Sequence, residues 1–427
     1  MMWQREPLSL TGDPVEVFAT CWQEPGAVLL ETQKPTSRER YSFIARAPRR
    51  TLVLDRARHD SRYVEELEAA TREGFCLGYL GYDLRLLTEE LPDRNASLLS
   101  LPDAWMGVYD GVLCYNHLSQ RWFRMGSVRS PSGRKEDVPW SPPGQIRLCR
   151  SQEAHLRAIK QAQAYIAAGD IYQVNLTQPL LSSGSVHPWA LYLRLREIQP
   201  VPYAAFLNLG QGGYVLSGSP ELFLRVRGGT VVSKPMKGTR PRGRGPREDR
   251  TLRRELRESA KDRAENVMIV DLMRHDIGKV ATTGTVAVPY LYRVEGYRTV
   301  YQMISEVTAT LRPGIGIADV LRALLPPGSV TGAPKKRACE IIDELEGYRR
   351  GVYTGAVGIL GPQGEMTLNV AIRTVAVAGA KAYFGVGGAI LGDSDPVEEY
   401  RECLVKAAAF LKAIGVDDRS LLTFHAS

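Results

Sequence analysis

Apolar residues fall into short, closely spaced runs over the first 125 positions and into longer, mixed runs after position 151. In the front part, residues 27–30, 41–44, 51–54 and 78–83 read as brief strands separated by turns. From position 126 to 145 the pattern gives way to Ser, Pro, Gly and basic residues, the composition of an exposed linker. Ser151 then fits a helix N-cap; Leu156, Ile159 and Ile166 line one face, and Gly169 suits the stop. Residues 171–177 alternate at strand period, with Gln173, Asn175 and Thr177 on one face. Further strands are expected at 203–207, 213–217, 222–226, 352–360, 367–377 and 381–386. Helices are expected at 248–273, 300–311, 317–324, 334–345 and 396–414. Short Gly and Asn turns between successive strands argue for antiparallel pairing with helices grouped outside, an α+β class.

Composition narrows the function classes. At 427 residues, with 44% hydrophobic and 24% charged positions, the chain is an ordinary globular protein long enough for two lobes or one large layered domain. No apolar stretch approaches the ~18 residues of a membrane span, and the opening residues lack a secretory signal. Six scattered cysteines form no disulfide framework, so a reducing cytoplasm is expected. The net charge of +8 gathers between Lys237 and Arg263. Interleaved acids dilute that patch, and no aromatic residue lies between Phe223 and Tyr290 to stack on a base. Nucleic-acid binding is therefore not expected.

Several polar groups stand where chemistry is feasible. Lys237, between a strand-like run and a Gly-Thr turn, is either a solvated lysine or an amine made nucleophilic by desolvation. Glu265 enters an apolar helical stretch, where a carboxylate is costly unless paired or metal-bound. Asp395 caps a helix on which Glu399, Glu402 and Lys406 cluster away from the stripe Tyr400, Leu404, Ala407 and Leu411. That cluster is a solvated face or a seat for a hard cation such as Mg²⁺. Residues 324–334 form a loop whose helix start suits an anion, and residues 385–390 bring backbone amides near a carboxylate. Arg373, in an apolar run, invites either a ligand's carboxylate or a structural salt bridge. Cys76 lies in a Gly-x-Cys-x-Gly pattern, but no histidine has a glutamate two residues on, so Cys76 reads as packing.

Together these segments resemble the chorismate-utilising enzymes, a family that includes anthranilate, aminodeoxychorismate, isochorismate and salicylate synthases. The resemblance spans residues 150 to 412 and rests on residues 169–173, Gly218-Ser219-Pro220-Glu221, Lys237-Gly238-Thr239-Arg240-Pro241, Ala264-Glu265-Asn266, residues 331–335 and Glu399-Tyr400-Arg401-Glu402. It implies large antiparallel sheets packed face to face with helices outside. It further implies a front region at 1–125, a linker at 126–150, a chorismate-binding catalytic region at 151–414 and a tail at 415–427. In the site it implies that Glu265 and Glu402 ligate Mg²⁺, with Glu399 acting through water. Arg373, Tyr353, Gly387, Gly388, Thr331, Thr239 and Lys406 would hold the substrate. Glu221 would protonate the departing 4-hydroxyl. Lysine at the Lys237 position, where anthranilate synthases carry alanine, implies attack on ring carbon 2 followed by amination at carbon 4. Gln173, where a lysine activates water in isochorismate synthases, supports amination. The implied product is 4-amino-4-deoxychorismate, on the way to p-aminobenzoate and folate; anthranilate is the alternative. Chorismate, ammonia and a separate glutamine amidotransferase subunit are the implied partners. His275 replaces a common asparagine, and Thr32 replaces the serine associated with tryptophan binding, which puts tryptophan feedback in doubt.

Overall fold

The computed structural model describes residues 5–55, 62–131, 133–135, 138–140, 142, 146–198, 200–298, 300–413 and 415. Part of the expected linker, and all of the expected tail except Gly415, lie outside these residues. Two sheets, one of twelve strands and one of ten, carry the fold. Every ladder between named strands is antiparallel, as the short turns required.

The sheets pack face to face through a shared apolar layer. Val28, Ala205, Leu207, Val215 and Ala376 come from the larger sheet; Leu77, Tyr79, Trp105, Val357 and Ile359 come from the smaller. The outer face of the larger sheet is covered by helices including Pro188–Ile198 and Pro396–Ala413. The outer face of the smaller sheet is covered by Tyr63–Glu73, Ala260–Gly278 and Ile317–Leu324. The front of the chain enters both sheets: Val28–Glu31 pairs with Tyr203–Gly210, and Phe75–Leu80 pairs with Ala356–Leu360. Among the described residues no helix is long and apolar enough to cross a membrane.

Two crossings between the sheets lie side by side. The chain leaves the larger sheet at Gly213–Ser219 and enters the smaller at Leu222–Arg227. It returns from Met366–Val370 of the smaller sheet to Thr374–Ala378 of the larger. Hydrogen bonds bind the crossings together: Gly218 N–H donates to the Arg373 carbonyl (2.9 Å), and Val370 N–H to the Glu221 carbonyl (3.1 Å).

Several expectations need correction. The 300–311 segment is not a helix but the strand Val300–Thr310, the inner neighbour of three others in the smaller sheet. It is buried along nearly its whole length, with Gln302, Ser305 and Glu306 among the covered positions, so burial does not alternate and the period-2 signal vanishes. The 248–273 helix is two helices, Pro246–Glu258 and Ala260–Gly278, divided at Ser259, whose side chain caps the second by accepting from Asp262 N–H. Glu258 therefore does not share a helix with Glu265. The 367–377 strand is broken at the second crossing, with Arg373 in the break at φ 51° rather than inside a strand. The 352–360 strand begins only at Ala356. The front region holds the helix Tyr63–Glu73 in addition to strands. The Ser151 and Asp395 caps form as expected.

Candidate active site

The paired crossings deliver two charged side chains to the seam between the sheets. Glu221 is 4% exposed, and burial pushes its carboxyl up to about 7, partly offset by the Ser329 hydroxyl, by Lys237 and by Arg373. Such a group is half-protonated near neutrality and can give a proton. Burial pulls Arg373 down to about 10, against the favourable fields of Tyr297 and Glu221. Among the described residues no carboxylate lies within ion-pair distance of Arg373, so the salt-bridge alternative finds no partner. Tyr297, which the sequence reading missed, lies in the fields of both groups and stacks under the Lys34 ammonium at 3.7 Å.

Lys237 stands on Met236–Pro241, a strand at the margin of the smaller sheet. Gly238 follows at φ +82°, and a Cβ there would fall 2.9 Å from an Asp262 oxygen and from Leu256. The glycine is thus needed both for its backbone angle and for the close approach of the helices behind it. Burial pulls the Lys237 amine below its usual range, with Lys406 adding to the effect and Glu265, Glu221 and Glu402 opposing it. Thr239, two residues on, is exposed and opposes Gln302 across the ladder.

Carboxylates come from two facing helices. Glu265 projects from Ala260–Gly278, and Glu399 and Glu402 from Pro396–Ala413. Lys261 bridges them, its Nζ 4.0 Å from Glu265 and 3.8 Å from Glu399. Burial raises Glu265 and Glu399, and carboxylate neighbours raise each further: Glu399 acts on Glu265, and Glu402 on Glu399. Glu402 is lowered, chiefly by Lys406 at 2.7 Å. Among the described residues no three His, Cys, Asp or Glu side chains converge closely enough to make a ready metal-ligand set. The donors nevertheless suit a hard cation: all are carboxylate oxygens, two hold their charge at a cost, and a lone ammonium already sits between them. The sequence signal for Lys261 was its place four residues before Glu265.

The larger sheet supplies the remaining wall. Gln173 begins the strand Gln173–Ser183, is 2% exposed, and its Oε1 has no hydrogen-bond partner among the described residues. Gly387 and Gly388 lie on the neighbouring strand Lys381–Ile390. The Gly387 carbonyl accepts from Lys406 Nζ (2.8 Å), and a Cβ at Gly388 would lie 3.3 Å from a Glu399 oxygen. Tyr353 is 5% exposed and fills the space that the missing side chain of Gly385 leaves. Thr331 is fully buried, but its hydroxyl donates back to the Pro327 and Gly328 carbonyls of its own loop. Cys76 is buried in the smaller sheet with its thiol pushed up to about 12 by burial, which makes it inert packing.

Known proteins resemble this chain in sequence and in fold. The model of the chorismate binding enzyme family matches residues 21–412. The chain is 41% identical to the aminodeoxychorismate synthase of Streptomyces griseus over 82% of its own length, and spans about half (51%) of that relative. It is 40% identical to aminodeoxychorismate synthase component 1 of Salmonella typhimurium, covering 79% of this chain and 76% of that one. Anthranilate synthase component 1 of Thermus thermophilus is 37% identical, over 93% and 94% of the two chains. The crystal structure of anthranilate synthase component I from Streptococcus pneumoniae superposes with a TM-score of 0.78 at 28% identity, covering 88% of this chain and 93% of that one.

Proposed function

The chain belongs to the chorismate binding enzyme family, and from that premise we propose that it aminates chorismate at ring carbon 4 to give 4-amino-4-deoxychorismate. The observation that carries this reading over anthranilate formation is the Lys237 amine, held below its usual pKa by burial beside an acid poised near neutrality. In the proposed sequence the neutral Lys237 nitrogen gives its electron pair to ring carbon 2. Both ring double bonds shift, the bond from carbon 4 to its hydroxyl breaks, and Glu221 supplies the proton that lets water depart. Ammonia then bonds to carbon 4, both double bonds shift back, and Lys237 leaves as the amine. Arg373, unpaired among the described residues, and Tyr353 would receive the pyruvyl carboxylate, with the backbone at Gly387 and Gly388 beside it. Thr239 and Thr331 would complete the pocket. Gln173 is a neutral amide, unable to activate water as a base, which favours ammonia as the nucleophile.

Glu265 and Glu402, with Glu399 acting through water, would hold Mg²⁺, which when bound would neutralise and orient the ring carboxylate of chorismate. Lys406 would keep Glu402 ionised, and Lys261 would yield its position to the metal. The ammonia would come from a separate glutamine amidotransferase subunit, in keeping with relatives described as component 1. The cytoplasm is the proposed compartment, and neither nucleic acid nor a membrane has a part. The test is product analysis by mass spectrometry after incubation with chorismate, Mg²⁺ and an ammonium salt at mildly alkaline pH. Aminodeoxychorismate is expected; anthranilate would leave the fold and family intact and overturn the role given to Lys237. Glu265→Gln should remove both turnover and its dependence on Mg²⁺, and full activity in that variant would dismiss the metal assignment.

A further inference from the structure

Behind the site, Arg350 is 1% exposed and makes five hydrogen bonds. Two go to the carboxylate of Glu346 (2.9 and 2.7 Å), one turn earlier at the end of the helix Lys335–Glu346. The other three reach the Val330 carbonyl (2.8 Å), the Asn175 carbonyl (2.6 Å) and the Thr354 hydroxyl (3.3 Å). Glu346 in turn accepts from the backbone N–H and the hydroxyl of Thr177, at 2.8 and 2.9 Å. These acceptors and donors fall on three segments that carry site residues. Val330 precedes Thr331; Asn175 and Thr177 continue the strand begun by Gln173; Thr354 follows Tyr353 and donates to its carbonyl at 2.6 Å. Asn175 N–H closes the triangle by donating to the Thr331 carbonyl at 2.7 Å.

We propose that the Arg350–Glu346 pair is a positioning clamp that fixes the Gln173, Thr331 and Tyr353 segments against one another and thereby sets the fit of the site for chorismate. This rests on the function proposed above. A buried ion pair is a weak source of stability, since well-packed apolar replacements are often neutral or better. What the planar guanidinium offers is direction: its donors leave in a fixed fork, so three segments can be held at set angles from one centre. Lysine would preserve the charge and lose the fork.

Arg350→Lys, kept with Mg²⁺ and ammonium, is the test. Displacement of substrate-holding groups by a fraction of an ångström should raise the chorismate KM roughly tenfold or more, with the ammonium KM within about twofold of the parent. Hydrogen exchange should quicken together at residues 173–177, 328–333 and 352–355 and stay unchanged in the outer helix Pro188–Ile198. A folded variant with chorismate KM within about twofold of the parent, or exchange that quickens throughout the chain, overturns the clamp. Should Arg350→Lys fail to fold, Thr177→Val removes one hydroxyl bond to Glu346 and should shift the chorismate KM in the same direction by a smaller factor; no shift would overturn the proposal. If the parent itself leaves chorismate untouched, the proposed function falls, and the exchange pattern alone still decides the clamp.

Discussion

Two clusters of charge in this fold, one around residues 343–350 and one at the seam between the sheets, are built differently. Around residues 343–350 each charge has a close opposite: Arg85 and Asp343 at 2.9 Å, Arg349 and Asp103 at 3.0 Å, Arg350 and Glu346 at 2.7 Å. Asp83 and Asp93 also approach Arg349, at 3.5 and 3.3 Å. At the seam between the sheets, by contrast, Glu221 feels the fields of Lys237 and Arg373 but forms an ion pair with neither among the described residues. Compensated charges stitch distant parts of the chain together: residues 82–103 are fastened to residues 343–351 in the first cluster. Uncompensated charges store unfavourable solvation free energy that a substrate's own charges can relieve. The contrast marks the seam as the candidate reaction site without reference to any relative.

The comparison breaks hardest at Lys237. Lys237→Ala should lower turnover on the order of 10³-fold or more while leaving the melting temperature unchanged or raised, because a desolvated charge is removed. Mass spectrometry of the parent with chorismate should show a covalent adduct that the variant lacks, and normal amination by the variant would refute the nucleophile. In the compensated cluster the reverse holds. Arg349→Leu removes the guanidinium that faces Asp83, Asp93 and Asp103 and should cost about 3–5 kcal/mol in urea unfolding at neutral pH.

Glu221 gives a pH signature of the same contrast. Its folded pKa, about 7, lies above the ordinary carboxylate value of 4.5, so the native state binds more protons between those values. Stability should therefore fall as pH rises through that window, by on the order of 3 kcal/mol when complete. Urea midpoints at pH 5 and pH 8 measure it, and Glu221→Gln should flatten the slope. An unchanged slope would show that Glu221 is not the group titrating. The smallest effect belongs to solvated pairs: Arg50→Ala, which parts Arg50 from Glu73 at 41% and 39% side-chain exposure respectively, should leave the urea midpoint unchanged within error.

Local features were legible in the sequence wherever the cause was local. The Ser151 and Asp395 caps depend on side chains two or three residues from their targets. The stripe on the last helix is buried as its spacing required, with Tyr400, Leu404, Ala407 and Leu411 between 0% and 8% exposed. The segments carrying Glu221, Lys237, Glu265 and Glu402 were legible as short motifs. What failed needed the tertiary structure. The strand at 300–310 lost its alternation because both faces are covered. Arg373 was read as inside a strand because nothing in an apolar run announces a change of sheet. Arg350 passed unnoticed because its partners Val330 and Asn175 lie 20 and 175 residues away.

The paired crossings also govern how the molecule can move. Between Val370 and Thr374 only three residues span the gap, a reach of roughly 13 Å when fully drawn out. Facing sheets stand about 10 Å apart, so this tether has little slack. The Ser219 to Leu222 crossing, with two intervening residues, is tauter still. A further crossing, from Tyr109 of the smaller sheet to Gly111 of the larger, has a single intervening residue, so the sheets are tied in more than one place. At the paired crossings the Gly218–Arg373 and Val370–Glu221 backbone bonds tie two short tethers to each other. Glu221 and Arg373 therefore hold their relation through the backbone that carries them.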